Sequence, residues 1–406
     1  MPQYRAAWLL PISQPPIRDA WLRTDRGRIV AFGHSRPGDF TADDEIDLGD
    51  VAVLPGLVNA HTHLELSWMR ERISETGDFS GWIRRIIELK REAAAHPEMV
   101  ITSIHDAIRE ARSFGTALVG DVTNTLATSH PLKEHGMAGV VFHELLGFRS
   151  EDAGVLISEA SSRIERESSS DLLRHTLAPH APYSVSPGLF RLIRLALERD
   201  PSARSTVHLG ESVAEVEFLR YGTGPWRTGL ERMGKWDPSW VPAQCTPVEY
   251  LDRLGFLDHR VLVVHGVQFG ASELERLVAT GSTLVTCPRG NIRTGAGTPA
   301  IDEFFDSGLR VAVGTDSLAS VPDLNVFAEL EEMRRLAPAL PARMLLESAT
   351  INGARALGFD ADFGTIDSGK RDALIAVQLD GGYVTSVEEF LVSGVGAAQI
   401  SWIPAS

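Results

Sequence analysis

The sequence predicts an α/β fold: a (β/α)8 TIM-like barrel with a small β-sandwich domain built from both chain ends. Eight short apolar runs recur through the middle of the chain, amphipathic stretches separate them, and the two ends carry short alternating strands of a different character. Near-continuous apolar strands alternating with helices belong to a parallel sheet covered on both faces. Eight such units suit a barrel, which builds its active face at the C-terminal ends of its strands. An open doubly wound sheet would ordinarily show a glycine-rich phosphate loop near its start, and none is visible.

Residues 1–54 form the first part of the small domain, where "GRIVAFG" and "DEIDLGDVAVLPG" read as short strands between turn residues. The barrel is expected over 55–364. Its first run is "VLPGLVNAHTHL", followed by 116–123, 139–147, 174–184, 204–212, 260–267, 282–289 and 310–317. Between them lie helical patterns such as "GWIRRIIELKREAAA", "SPGLFRLIRLALERD" and "SELERLVATG". "SSRIERESSS" (161–170) reads as a polar helix end or loop. The stretch from Arg220 to Gly255, rich in glycine and proline, holds Trp226, Trp236 and Trp240 and reads as a loop able to cover the strand ends. Residues 365–406, with "KRDALIAVQLD", return to complete the small domain.

An apolar fraction of 43% and a charged fraction of 23% are ordinary for a globular protein. The net charge of −15, with only four lysines and no basic cluster, argues against nucleic acid and anionic membrane surfaces as partners. Cys245 and Cys287 show neither metal nor disulfide spacing and are expected to be free thiols in a reducing compartment. Prolines interrupt the first apolar run, so no signal peptide is expected. No segment reaches the roughly 18 apolar residues of a membrane span, which makes a cytoplasmic protein the expectation. A homo-oligomer is left open.

The strand ends are where the chemistry gathers. His61 and His63, at i and i+2, share one face of the first strand; His208 and Glu211 close the fifth, His265 the sixth and Asp316 the eighth. Any one of these alone is ordinarily a core or loop group. Together, at predicted strand ends, they read as a site. Histidines with a carboxylate suit a divalent ion of the zinc or iron type, which brings the pKa of bound water down to about 7. Such a site also needs a base for the water proton and an acid for the leaving side. Glu211, one turn beyond His208, is placed for the acid role.

At these residues the chain resembles the amidohydrolase superfamily, in particular its cytosine, guanine and adenosine-type deaminase branch. "NAHTHLE", "PHAPYS", "VHLGES", "VVHGV", "TCPRGN", "GTDS" and the closing "FGTIDSGKRDALI" carry the resemblance in the family's order, over almost the whole chain. It implies an enzyme with one divalent ion, zinc or alternatively iron, held by His61, His63, His208 and Asp316. It implies that His265 polarises the attacked centre or holds the water, that Glu211 passes a proton to a ring nitrogen, and that Asp316 accepts the proton of the water. Binuclear members bridge two metals through a lysine on strand four, and "DLLRHTLAPHAPYS" has none. Glu144, at the end of strand three, is therefore expected to hydrogen-bond near the substrate rather than to bridge metals. The alternative zinc-deaminase architecture needs Pro-Cys-X-X-Cys, which this chain lacks.

Within the branch, "HTHLELS" and the segment from "EFLRYGTGP" to "TPVEYLDRLG" look like deaminases of aminodeoxyfutalosine, in menaquinone biosynthesis. Deaminases of adenosine, methylthioadenosine, adenosylhomocysteine or guanine, and triazine chlorohydrolases, use nearly the same site and stand as alternatives. The expected partner is a small aminopurine-type substrate. Glu65 would suit ribose hydroxyls or the purine edge, His180 a ring nitrogen or carbonyl, and Trp82 a stacking or packing role. Where the family often has serine in Cys-Pro-X-Ser-Asn, this chain has Gly290, leaving Arg289 and Asn291 as substrate contacts. Arg220, Arg227, Arg289 and Arg293 are the candidates for a substrate carboxylate.

Overall fold

The computed structural model describes residues 1–34, 45–73, 78–93, 96–167, 169–379 and 386–406. Five strands open the chain: β1 (Gln3–Leu9), β2 (Ile17–Asp25), β3 (Arg28–His34), β4 (Glu45–Asp47) and β5 (Val51–Pro55). Then come β6 (Leu57–Thr62), β7 (Thr116–Thr123), β8 (Ala138–Leu145), β9 (Leu173–Pro179), β10 (Ser205–Leu209), β11 (Val261–His265), β12 (Thr283–Thr286) and β13 (Val311–Val313). Each of the eight apolar runs overlaps one of these, with β8 and β9 beginning one residue ahead of theirs. β14 (Leu374–Gln378) and β15 (Ile400–Trp402) end the chain.

β6–β9 form one four-stranded parallel sheet and β10–β13 another, each in sequence order. Helices follow most of these strands, as parallel connections require. The two sheets touch at both edges. On one side the His208 N–H donates to the His180 carbonyl (2.9 Å) and Ser205 Oγ to the Leu177 carbonyl (2.9 Å). On the other, Asn59 and Thr315 exchange hydrogen bonds of 2.8 and 3.0 Å, and the Asp316 N–H donates to the His61 carbonyl at 3.0 Å. Leu118, Val140, Ala178, Leu262, Val264 and Ala312 pack together between the sheets. The fit is close at the site's edge: a Cβ on Gly314 would lie 2.6 Å from the His61 carbonyl oxygen, so only glycine lets β13 approach β6 here.

The strands of the two chain ends join one seven-stranded sheet in the order β15-β14-β5-β1-β2-β3. The first half of β1 pairs with β4 and the second half with β5. One face has its own core of Tyr4, Ala20, Leu22, Ile29, Val53 and Leu374. The other face sends Ala52, Leu54, Ile375 and Val377 into the main core, so the sheet is bolted to the rest of the molecule by apolar burial.

The stretch expected as a loop after β10 contains two short helices, Gly224–Arg232 and Pro247–Arg253. Pro225 and Pro247 sit in their first turns, where a missing N–H costs nothing, while Pro238 and Pro242 lie in the connection between them. Residues 161–166 close the helix Ala153–Arg166. Among the described residues no helix is long and apolar enough to cross a membrane.

Candidate active site

His61, His63, His208, His265, Glu211 and Asp316 converge at one end of β6, β10, β11 and β13. The His61 ring lies 4.8 Å from that of His63, 5.0 Å from His208 and 5.7 Å from His265, edge to face in each case. Asp316 Oδ1 is 3.6 Å from His63 Nε2 and 3.8 Å from His61 Nε2, while His63 Nε2 and His208 Nε2 are 3.3 Å apart. His265 and Asp316 both adopt the left-handed backbone region, at φ 79° and 59°. For residues with a Cβ this costs about 1–3 kcal/mol each, a strain the packed strands must hold against.

Burial sets the charge state. It drives His61 and His265 well below the ordinary imidazole range, His63 down to about 3 and His180 to about 4. At neutral pH these rings are neutral, with free lone pairs. Burial pushes Asp316 up to about 6, and burial with the neighbouring Asp316 and Glu215 carboxyls drives Glu211 well above the usual carboxylate range. Burial also opposes charge on Glu144, but the imidazoles of His180, His208 and His63 outweigh it and hold Glu144 at about 2. Both His61 ring nitrogens are buried without a hydrogen-bond partner. Unpaired buried nitrogens beside a buried carboxylate are what a cation would relieve. Among the described residues, sets that could hold an ion are His61, His63 and Asp316; His61, His208 and His265; and Glu144, His180 and His208.

Surrounding contacts hold these groups in place. Asn291 Nδ2 donates to His265 Nδ1 at 2.9 Å, leaving the ring proton on Nε2, which faces Glu211 Oε1 at 3.4 Å. Glu215 accepts the N–H groups of Gly210 and Glu211 (3.1 Å each) and so supports the turn that presents Glu211. Asp121 on β7 accepts the Leu64 N–H at 2.9 Å, pinning the turn after His63. Ser320 Oγ lies 2.9 Å from Asp316 Oδ2.

A cavity of about 70 Å³ lies over the cluster, lined by His63, His180, His208, Glu211, His265 and Asp316 together with Leu66, Phe79, Trp82, Ile83, Ile86, Lys90, Glu144, Tyr183 and Ser317. Of the expected substrate contacts, Trp82, Glu144 and His180 line it. Glu65 does not: its carboxylate is consumed by the 123–125 turn, accepting the Asn124 N–H (2.8 Å), both Thr123 and Thr125 hydroxyls and the Thr125 N–H. Asn291 serves His265 rather than the cavity. Arg289 is turned away, its guanidinium 2.9 Å from Asp323 and 3.6 Å from the buried Glu329. Arg227 is paired with Glu231 and lies over Trp236. None of the four candidate arginines lines the cavity. Phe79, Ile83, Ile86, Lys90 and Tyr183 were not anticipated. The first four lie on one face of the helix Phe79–Ala93, a stripe visible in its 3–4 residue spacing.

Trp226 stacks on Tyr183 at 4.1 Å with planes 6° apart and meets Phe79 edge to face, so it backs two of the lining residues. Trp236 and Trp240 instead pack on Phe148 and Phe218 away from the cavity.

The chain is similar to known proteins over nearly its whole length. The model of the amidohydrolase family matches residues 52–396. A 5-methylthioadenosine/S-adenosylhomocysteine deaminase of Syntrophobacter fumaroxidans is 30% identical, covering 86% of this chain and 78% of the relative. One of Haloarcula marismortui is 28% identical over 92% of this chain and 83% of its own. Among solved structures, an adenosine deaminase from Xanthomonas campestris with bound zinc superposes with a TM-score of 0.81 at 25% identity, over 98% of this chain and 90% of that one. Helicobacter pylori aminofutalosine deaminase, solved with methylthio-coformycin, shares the fold with a TM-score of 0.83 at 24% identity, over 97% and 95% of the two chains. With the family model spanning both parallel sheets and the histidine cluster, the chain belongs to the amidohydrolase family.

Proposed function

We propose that this chain is a metal-dependent hydrolytic deaminase of a 6-aminopurine nucleoside derivative, aminodeoxyfutalosine of menaquinone biosynthesis, releasing ammonia. The observation that carries the deaminase reading is a cluster of buried imidazoles, with both His61 nitrogens unpaired and His265 facing Glu211, an acid that burial and the neighbouring carboxyls drive well above the usual carboxylate range. His61, His63, His208 and Asp316 would hold one divalent ion, zinc or alternatively iron. Donor separations of 3.3–3.8 Å suit ligands about 2.0–2.2 Å from a common centre. When bound, the ion supplies an acidified water at neutral pH.

The chain's own groups then account for the protons. Water oxygen adds to the amino-bearing carbon while Glu211 gives its proton to the adjacent ring nitrogen. Asp316 takes a proton from the water and passes it to the amino group, which leaves as ammonia. The remaining hydroxyl proton returns to Glu211, and a keto product results. His265 Nε2–H, set by Asn291, donates toward the oxygen. Trp82, His180 and Glu144 would contact the substrate.

The same reading takes β6–β13 as one closed barrel over 55–364. The chain-end sheet, with its own core, is then a small domain folded as a sandwich from 1–54 and 365–406. Two buried free thiols suit a reducing cytoplasm. A second substrate reading, methylthioadenosine or adenosylhomocysteine, is favoured by the named activity of the relatives. Ammonia release from aminodeoxyfutalosine, methylthioadenosine, adenosylhomocysteine and adenosine distinguishes them. The proposal expects aminodeoxyfutalosine to show the highest kcat/KM, and equal or faster turnover of another overturns the substrate but not the chemistry.

A further inference from the structure

The helix Phe79–Ala93 roofs the cavity with Phe79, Trp82, Ile83 and Ile86, and one turn further on the stripe ends in Lys90. Apart from the histidines, Lys90 is the only cationic side chain in the lining among the described residues. The chain carries 54 acidic against 39 basic residues, yet among the described residues no carboxylate lies within 4 Å of this ammonium. Its Nζ donates instead to Asn124 Oδ1 at 2.7 Å. Asn124 in turn donates through Nδ2 to Glu144 Oε2 at 2.9 Å and to the Glu144 carbonyl at 3.2 Å. Glu144 Oε1 lies 3.5 Å from His208 Nδ1. A polar chain thus runs from the cavity mouth to the cluster, with a cation at the outer end and an anion within.

We propose that Lys90 is the anion-recognising element of the site: the substrate is an aminopurine whose sugar side bears a carboxylate, and that carboxylate pairs with the Lys90 ammonium. The inference rests on the deaminase reading and deepens it. An ammonium has three donors, and Asn124 takes one, so two remain for the carboxylate oxygens. Asn124 holds the ammonium at the mouth rather than letting it collapse onto Glu144, whose negative charge repels an acid placed deeper. The polarity of the chain therefore orients the substrate with its acid outward and its base over the cluster. The arginines expected in this role are occupied by Asp323, Glu329 and Glu231 or lie outside the lining. Because the contact is at an exposed mouth, it acts through capture and is weakened by salt.

The test uses the full-length, metal-loaded protein and a matched pair of substrates: a 6-aminopurine nucleoside carrying a 5′-linked benzoate, and its uncharged methyl ester. The parent should prefer the acid by about tenfold in kcat/KM, a preference that shrinks as salt rises. Lys90→Met should bring the acid-to-ester ratio close to one, with the loss in KM rather than kcat, and Lys90→Arg should keep the preference. Calorimetric binding of the acid product gives a readout independent of turnover and should weaken in Lys90→Met alone. A parent without acid preference, or a Lys90→Met variant that retains it, overturns the inference while leaving the deaminase reading in place. Ammonia from neither compound overturns both.

Discussion

Both nitrogens of His61 lie buried and unpartnered between β6 and β13, and each neighbouring side chain can be asked separately what it contributes. His208→Asn should lower metal content in elemental analysis along with activity. Glu211→Gln should keep its metal and lose turnover by about 10²–10⁴, because the amide preserves size but carries no transferable proton. If Glu211→Gln turned over like the parent, the acid role would be wrong. Ser320 is a subtler case. Its hydroxyl has one proton and two acceptors, Asp316 Oδ2 at 2.9 Å and the Ser317 carbonyl at 2.8 Å; toward an ionised carboxylate the charge-assisted bond is stronger. It holds Oδ2 so that Oδ1 faces His61 and His63. A Cβ at Gly290 would sit 3.6 Å from the same Oδ2, so a serine there would point at Asp316. Ser320→Ala should lower kcat about ten- to hundredfold, and adding Gly290→Ser should restore much of it. Restoration failing in a folded, metal-loaded double variant would contradict this. Glu65→Gln, by contrast, should lower thermal stability by about 1–3 kcal/mol through the 123–125 turn and leave KM nearly unchanged.

At the scale of elements, the sequence showed where each strand lies and which residues end it. Strands buried on both faces leave uninterrupted apolar runs, and side chains at their C-terminal ends have few places to go but the common face. What it did not show is the direction of side chains in the connecting turns. Glu65, Arg289 and Asn291 all follow strand ends, yet each turns to a neighbour that is distant in sequence or lies across the fold, and no periodicity encodes that choice. The left-handed backbone at His265 and Asp316 was equally invisible. The stripe from Phe79 to Lys90 was legible as a helix face, but only packing shows that this face roofs the site. The cavity of about 70 Å³ holds a couple of waters, not a purine. The helix Phe79–Ala93 and the Trp226 segment are expected to part to admit substrate. Amide hydrogen exchange in these two segments should change on binding product, while β6–β13 stay protected. Trp240→Ala, in the aromatic cluster behind the segment, should cost stability by about 1–3 kcal/mol with little change in kcat. Exchange confined to other regions would contradict the opening.

The molecule as a whole places a charge-starved cluster inside a strongly acidic protein, and this couples metal, pH and stability. His180 titrates near 4 and His63 near 3 in the folded, metal-free state, against 6.5 when unfolded. Below pH 6.5 the unfolded chain binds protons that these rings refuse, so their contribution to the stability of the metal-free protein is lost as pH falls from about 6.5 toward 3, while the raised Asp316 and Glu211 carboxyls contribute in the opposite sense. Thermal melts across that range check the sign; metal-loaded protein should melt higher at neutral pH, and the gain should vanish as acid releases the ion. A His180→Asn variant whose metal-free melting temperature falls as steeply as the parent's through this window would contradict the contribution of that ring. The central claim, hydrolytic removal of an amino group by this cluster, is tested most directly by ammonia release from a panel of 6-aminopurine nucleosides. The same purified protein is assayed after elemental analysis, after chelation and after reconstitution with zinc or iron. About one ion per chain, ammonia formed with the keto product, loss on chelation and recovery on reconstitution are the results expected. Ammonia release undiminished by complete metal removal, or none from any aminopurine by the fully loaded protein, would contradict it.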